Sequence, residues 1–137
     1  NDRDFSWYFL HMVSGKPASR PWIARREGPT TLVSIPTTVD DVWWETIDSP
    51  RVDREFVNAI ADRVITADGK EGGVRRVLDA GGWPVFLSHW QSFFSNGLET
   101  GLAALDEIGR RITDVLADEV TWMTCMEMAH RTVDEAD

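Results

Sequence analysis

The residue best suited to chemistry in this sequence is His89, which ends an apolar run and begins a polar, aromatic one. The segment GGWPVFLSHWQSFFSNG spans residues 81–97, and Trp90, Gln91 and Ser92 directly follow the histidine. A neutral imidazole near pH 7 acts as a general acid or base, or as a metal ligand. We therefore expect His89 to be catalytic. A histidine that only hydrogen-bonds a loop carbonyl would give the same pattern.

Side chains on two predicted loops are candidates for substrate contact beside His89. Asp41, with its neighbour Asp40, could orient the histidine or bind a cation, and such pairs also cap turns and helices. Asn96 precedes a glycine, which is first of all a turn signal. Tryptophans offer a flat, apolar face to a sugar ring. The predicted substrate-binding residues are Trp90, Gln91, Asn96, Trp44 and Asp41.

No sequence motif supplies a set of metal ligands. The patterns H-x-x-x-H and H-E-x-x-H are absent, and no single element carries a cluster of carboxylates and histidines. Cys125 is the single cysteine, which excludes an internal disulfide and a cysteine-cluster metal site. A nucleophile elbow, a P-loop and a dinucleotide fingerprint are also missing. We predict no metal ligands in this chain and no complete active site.

Composition narrows the range of partners. The chain has 137 residues and a net charge of −9 at pH 7. Lys16 and Lys70 are its only lysines, so the clustered basic surface that nucleic acids and anionic membranes require is not expected. No apolar run approaches the roughly 20 residues of a membrane span. Most of the seven tryptophans are expected in a core or a subunit interface, and several could line a sugar site.

Three apolar, β-branched segments are predicted strands: residues 30–36, 83–89 and 119–124. Between them, apolar residues recur every three or four positions, which is the period of an amphipathic helix. Thr124 and Glu127 have the spacing of a capping box. The predicted helices span residues 2–13, 52–64, 74–78, 98–116 and 124–136.

Strands that alternate with helices predict an α/β fold with parallel strands joined by right-handed crossovers. Sites in such folds gather at the carboxyl ends of the strands, where Asp41 and His89 would meet. Three strands are few, because a parallel sheet must be covered on both faces and protected at its edges. We therefore expect residues 1–137 to be a single domain or part of one.

The run VFLSH, a loop, and then GLAALDEIGRRITDVLADEVTWMTCMEMA resembles the C-terminal part of polysaccharide deacetylase-like (NodB-homology) domains. The resemblance covers residues 30–129. It implies a deformed (β/α) barrel and metal-dependent removal of acyl groups from amino sugars, with a zinc-type divalent ion. It also implies that His89 is the general acid that protonates the leaving amine.

The resemblance is limited to the C-terminal half of the family domain. The family's Asp-Asp pair and its histidine motif lie upstream, and Asp40–Asp41 follows the wrong strand to be that pair. It therefore implies a hydrolase of carbon–nitrogen bonds that needs a missing N-terminal half or a second chain. This chain alone is then expected to be inactive.

Two alternatives remain open. The chain could be a non-catalytic α/β domain that binds carbohydrate or protein. It could also be a small α/β protein that dimerises through its tryptophan-rich surface. Loss of turnover rather than of binding in His89→Ala, and the state of self-association, distinguish these hypotheses.

Overall fold

The computed structural model describes Met12–Val13, Lys16–Pro17 and residues 19–137. Met12–Val13 (β1) and Lys16–Pro17 (β2) pair as antiparallel strands. Met12 and Val13 were predicted to end a helix over residues 2–13, but they form a strand. The rest of that predicted helix lies outside the described residues.

A second antiparallel hairpin is formed by Trp22–Glu27 (β3) and Thr30–Ser34 (β4). Glu27 pairs with Thr30, so only Gly28 and Pro29 connect the strands. Gly28 has a φ of 54°, a left-handed conformation that glycine adopts at little cost. The segment before residue 30, which was not predicted to be a strand, therefore forms one and pairs with the predicted first strand.

The expected parallel α/β fold, part of a deformed (β/α) barrel, is wrong. In the part of the chain that the structure describes, both sheets have two antiparallel strands, and helices dominate. The predicted strand at residues 83–89 makes a single parallel bridge, between Phe86 and Val39. Residues 119–124 join no sheet. An apolar, β-branched segment forms a strand only where a neighbouring segment can pair with it. For β4 that neighbour is β3.

Helices and turns account for most of the remaining chain. Residues 90–94, predicted as a loop, are helical instead, since the His89 carbonyl accepts hydrogen bonds from the amides of Ser92 and Phe93. The other predicted helices within residues 52–136 are confirmed with shifted ends. The helices are Arg54–Val64 (α1), Gly73–Asp79 (α2), Trp90–Phe94 (α3), Thr100–Leu116 (α4) and Cys125–Asp134 (α5), with 3₁₀ turns at Val42–Thr46 and Ser95–Gly97.

Side-chain caps fix where two of the helices begin. Asp53 accepts a hydrogen bond from the amide of Phe56 and so begins α1. A hydrogen bond from Arg51, followed by that amide, lowers the pKa of Asp53 to about 2. Thr124 and Glu127 form the predicted capping box at α5. These contacts satisfy amides that the first helical turn leaves without partners.

The apolar core lies mainly between α1 and α4. The fully buried residues Ile60, Val64, Ala104, Ile108 and Leu116 are at its centre. Leu98, just before α4, and Leu102 and Leu105 on α4 are substantially exposed. The helix instead turns Gly101 towards α3, where a β-carbon would clash with the carbonyl oxygen of Ser92.

A buried arginine joins the two main helices. The guanidinium of Arg111 on α4 bonds Asp62 of α1 at 2.7 Å and the carbonyl of Ile65 at 2.9 Å. It also bonds Glu107 at 2.7 Å. Hydrogen bonds from Arg110 and then Arg111 lower the pKa of Glu107 to about 2. The buried charge is thus compensated, as a desolvated guanidinium requires.

Candidate functional site

Asp41 and His89 form a hydrogen-bonded pair. The Asp41 Oδ2 atom lies 2.9 Å from His89 Nδ1, although 48 positions separate the two residues. The carboxylate is mostly buried and the imidazole is about half exposed. A carboxylate at Nδ1 sets the ring orientation and the tautomer of a histidine. The expectation that Asp41 could orient the histidine therefore has a geometric basis.

Asp41 is positioned by the turn that it begins. Its other carboxylate oxygen, Oδ1, accepts a hydrogen bond of 3.2 Å from the amide of Trp43. Trp43 is fully buried, and its ring packs edge to face on Phe86 and Phe93, with centroids 6.0 and 5.8 Å away. The aromatic anchor thus fixes the backbone from which Asp41 projects.

His89 is positioned at the start of α3, and α3 is tied to the same turn. The hydroxyl oxygen of Thr46 lies 2.5 Å from the carbonyl oxygen of Ser92 and 2.8 Å from that of Trp43. Its single hydrogen is donated to one of them or shared. Thr46 is fully buried, so this contact is shielded from water. It joins the element that carries Asp41 to the element that carries His89.

Two predicted substrate-binding tryptophans lie on these same elements. The ring of Trp44 contacts the His89 imidazole edge to face, with centroids 5.2 Å apart. Its side chain is 60% exposed. Trp90 is 71% exposed and packs only loosely on Phe94, at 6.5 Å. Both indoles therefore present apolar surface to solvent close in the fold to the histidine.

The other two predicted substrate-binding residues, Asn96 and Gln91, do not contact the Asp41–His89 pair through any described hydrogen bond. The Asn96 side-chain amide donates to the carbonyl of Ile47 at 2.7 Å. Asn96 also has a φ of 53°, a left-handed conformation that asparagine tolerates. Its evident role is to tie the turn after α3 to the segment after Trp44. Gln91 is exposed on α3, and no described hydrogen bond links it to the Asp41–His89 pair.

A cleft of about 530 Å³ includes Asp41 in its lining. Thr37, Asp40, Arg76 and Leu87 also line it. Arg76 was not predicted to be a site residue, because it lies on the short helix α2 and no sequence motif marks it. Spatial proximity alone brings Arg76 beside Asp40 and Asp41.

The described residues do not fit the divalent metal that the family resemblance implies. No group of three or more His, Cys, Asp or Glu side chains within residues 19–137 could hold an ion. Asp41 and His89 already bond to each other, and the other carboxylates of the adjoining clefts, Asp40, Asp62 and Glu71, form no such group with them. A metal-dependent step therefore cannot be assigned to these residues.

A larger cleft, of about 680 Å³, lies elsewhere on the molecule. Trp83, Trp122 and Met128 line it, together with Arg20 and Arg131. Both arginines stack on the Trp83 ring. None of the predicted site residues borders this cleft, so it is distinct from the cleft that Asp41 lines.

Comparison with protein-family models, with curated proteins and with solved structures finds no match to this chain. Among the described helices, none is both long and apolar enough to cross a membrane.

Proposed function

We propose that this chain supplies the proton-transfer and sugar-contacting part of a carbohydrate-active hydrolase. The observation that carries the proposal is the 2.9 Å contact between Asp41 and His89 beside the exposed ring of Trp44. A histidine oriented by a carboxylate is a recurrent general acid–base arrangement. An exposed indole next to it is suited to the apolar face of a sugar.

The chemistry of the pair follows from its geometry. An ionised Asp41 accepts a hydrogen bond from Nδ1–H, which keeps that proton on the ring and leaves Nε2 as the proton-exchanging atom. In hydrolysis of an acylated amino sugar, water adds to the acyl carbon and the carbon–nitrogen bond breaks. The protonated Nε2 of His89 gives its proton to the departing nitrogen, which leaves as the amine. Nε2 then recovers a proton from solvent.

Activation of the attacking water is not assigned to the described residues. In this proposal the groups that do so belong to another part of the protein or to a second chain. Asp41 keeps the imidazole in one orientation, and Trp44 shields one side of it from water. The residues of this chain then bind, orient and exchange a proton.

Hydrolysis of an activated ester, whose leaving group departs without a proton, tests whether the His89 imidazole is reactive as a base or nucleophile without a metal. Hydrolysis of 4-nitrophenyl acetate is measured in a Cys125→Ser background, because Cys125 is an exposed thiol that would itself react. We expect His89→Ala to remove most of the hydrolysis rate that exceeds the background without protein. Asp41→Asn should lower that excess rate about tenfold. His130→Ala is the matched control. Equal rates in His89→Ala and His130→Ala would contradict the proposal.

Saccharide binding tests the second part of the proposal. Affinity for short N-acetylated oligosaccharides is measured by calorimetry. We expect Trp44→Ala to weaken binding about tenfold and Trp122→Ala to leave it unchanged. The control is matched because Trp44 and Trp122 are both 60% exposed. Absence of binding, or an equal loss in both variants, would overturn the sugar-contacting role.

A non-catalytic binding domain is the second candidate, and an exposed apolar stripe favours it. Trp90 and Phe94 on α3 are more than half exposed, and Leu98, Leu102 and Leu105 follow them along the chain with substantial exposure. Exposed apolar patches often mark interaction sites. For such a domain, His89→Ala would leave both binding and ester hydrolysis unchanged.

A further inference from the structure

The cleft that Asp41 lines also contains an arginine with no ionic partner. Arg76 is exposed on α2 and lines this cleft. It forms no ion pair with any carboxylate within residues 19–137, whereas every other arginine there except Arg54 does. In a chain with a net charge of −9, an arginine that forms no ion pair with the carboxylates of its own cleft is available to a ligand.

Asp40 lies in the same cleft and has no side-chain partner among the described residues. Its carboxylate is exposed and makes neither a hydrogen bond nor an ion pair with them. Arg76 and Asp40 therefore share one concave surface without bonding each other. They also share a second, adjoining cleft of about 410 Å³. Each side chain keeps its hydrogen-bonding capacity for a third group.

A ligand that satisfies both groups must carry complementary chemistry. A guanidinium binds a carboxylate with two parallel hydrogen bonds. An aspartate accepts hydrogen bonds and donates none, so it is suited to sugar hydroxyls. A neutral sugar would leave Arg76 without an anion, and a simple anion would gain nothing from Asp40 and would be repelled by it.

We propose that this cleft binds an acidic sugar, a uronic acid residue, and that Arg76 determines this specificity. The sugar carboxylate binds Arg76, and its hydroxyls donate to Asp40. The inference rests on the proposed function, since it names the substrate class for the cleft that Asp41, the hydrogen-bond partner of His89, lines. Both clefts fall within the range of volumes usual for small-molecule sites.

The test compares a short galacturonate oligosaccharide with its carboxyl-reduced, neutral counterpart. Dissociation constants are measured by calorimetry at one fixed ionic strength for the wild-type chain, Arg76→Gln and Arg54→Gln. Arg54 is the matched control, because it is the other exposed arginine without an ion pair in the described part of the chain. Circular dichroism confirms that each variant is folded.

We expect the acidic form to bind about fivefold more tightly than the neutral form, as for one exposed charge pair. Arg76→Gln should abolish the preference, and Arg54→Gln should retain it. Equal binding of the two sugars would overturn the inference but leave sugar binding intact. An equal loss in Arg54→Gln would also overturn it, since net charge alone would then explain the preference. If no saccharide binds, neutral N-acetylated ones included, the proposed function fails as well.

Discussion

Different kinds of interaction stabilise two regions of the molecule: the contact between α1 and α4, and the region around Asp41 and His89. Between the helices, apolar side chains such as Ile60 and Ile108 are almost completely removed from water. Around the pair, side chains bond to backbone carbonyls, as Thr46 does to Ser92. The first kind of contact is non-directional, and the second depends on distance and angle.

This difference implies a division of labour between stability and geometry. Burial of apolar surface is the main favourable term in folding, so the α1–α4 contact should determine the free energy of unfolding. A single hydrogen bond contributes about 1 kcal/mol, yet it fixes the relative position of two elements. Substitutions in the two regions should therefore change different measurable quantities.

The largest effect is expected in the core. Ile60→Ala removes a fully buried side chain and should lower the free energy of unfolding by about 2–5 kcal/mol. Urea denaturation measures the loss. Leu102→Ala is the control on α4, and because Leu102 is 45% exposed its effect should be well under half as large. Equal losses would show that the core does not lie between α1 and α4.

The ion pairs of Glu107 with Arg110 and Arg111 should make the contact between α1 and α4 sensitive to acid. The pKa of Glu107, about 2, is below the ordinary value of 4.5, so the ionised carboxylate stabilises the folded chain above pH 4.5. That stabilisation is lost as pH falls towards 2. Its size is about 1–3 kcal/mol, reduced because Arg110 is half exposed.

A pH series of urea denaturations on the wild type and Glu107→Gln checks this expectation. The variant should be less stable at pH 7, and the difference should shrink between pH 4.5 and 2. The comparison is a difference between two proteins, so other carboxylates that titrate in this range cancel. A difference that is constant with pH would contradict the ion-pair account.

The smallest change in stability, with a large change in geometry, is expected at the link between the site elements. Thr46→Val removes the buried hydroxyl and should cost about 1–2 kcal/mol, because it leaves the Ser92 carbonyl without that donor. The nuclear magnetic resonance signals of the His89 ring should shift, and Thr46→Ser should restore them. Unchanged His89 signals in Thr46→Val would show that this bond does not position the pair.

The sequence predicted the helices better than the strands, for a physical reason. The period of α1 and the caps at α5 are local, so they can be recognised from neighbouring residues. A strand requires a partner that lies far along the chain. Residues 83–89 have suitable side chains, but in the described structure they form a single β-bridge, between Phe86 and Val39.

The site was partly predictable in the same sense. His89 and Asp41 stood out because polar, ionisable residues directly follow apolar runs. Their contact could be anticipated: the expected parallel sheet does not form among the described residues, but the one parallel bridge, between Val39 and Phe86, lies just before both residues in the chain. The tie between Thr46 and Ser92 and the placement of Arg76 depend on three-dimensional packing and left no local signal.

The most direct test of the central claim is the tautomer of His89. Long-range ¹H–¹⁵N correlation spectra of the imidazole distinguish a proton on Nδ1 from one on Nε2. The account predicts the Nδ1–H form in the wild-type chain and its loss in Asp41→Asn, with the spectrum of His130 unchanged. An Nε2–H form in the wild type, or a tautomer that does not respond to Asp41→Asn, would contradict the Asp41–His89 pair.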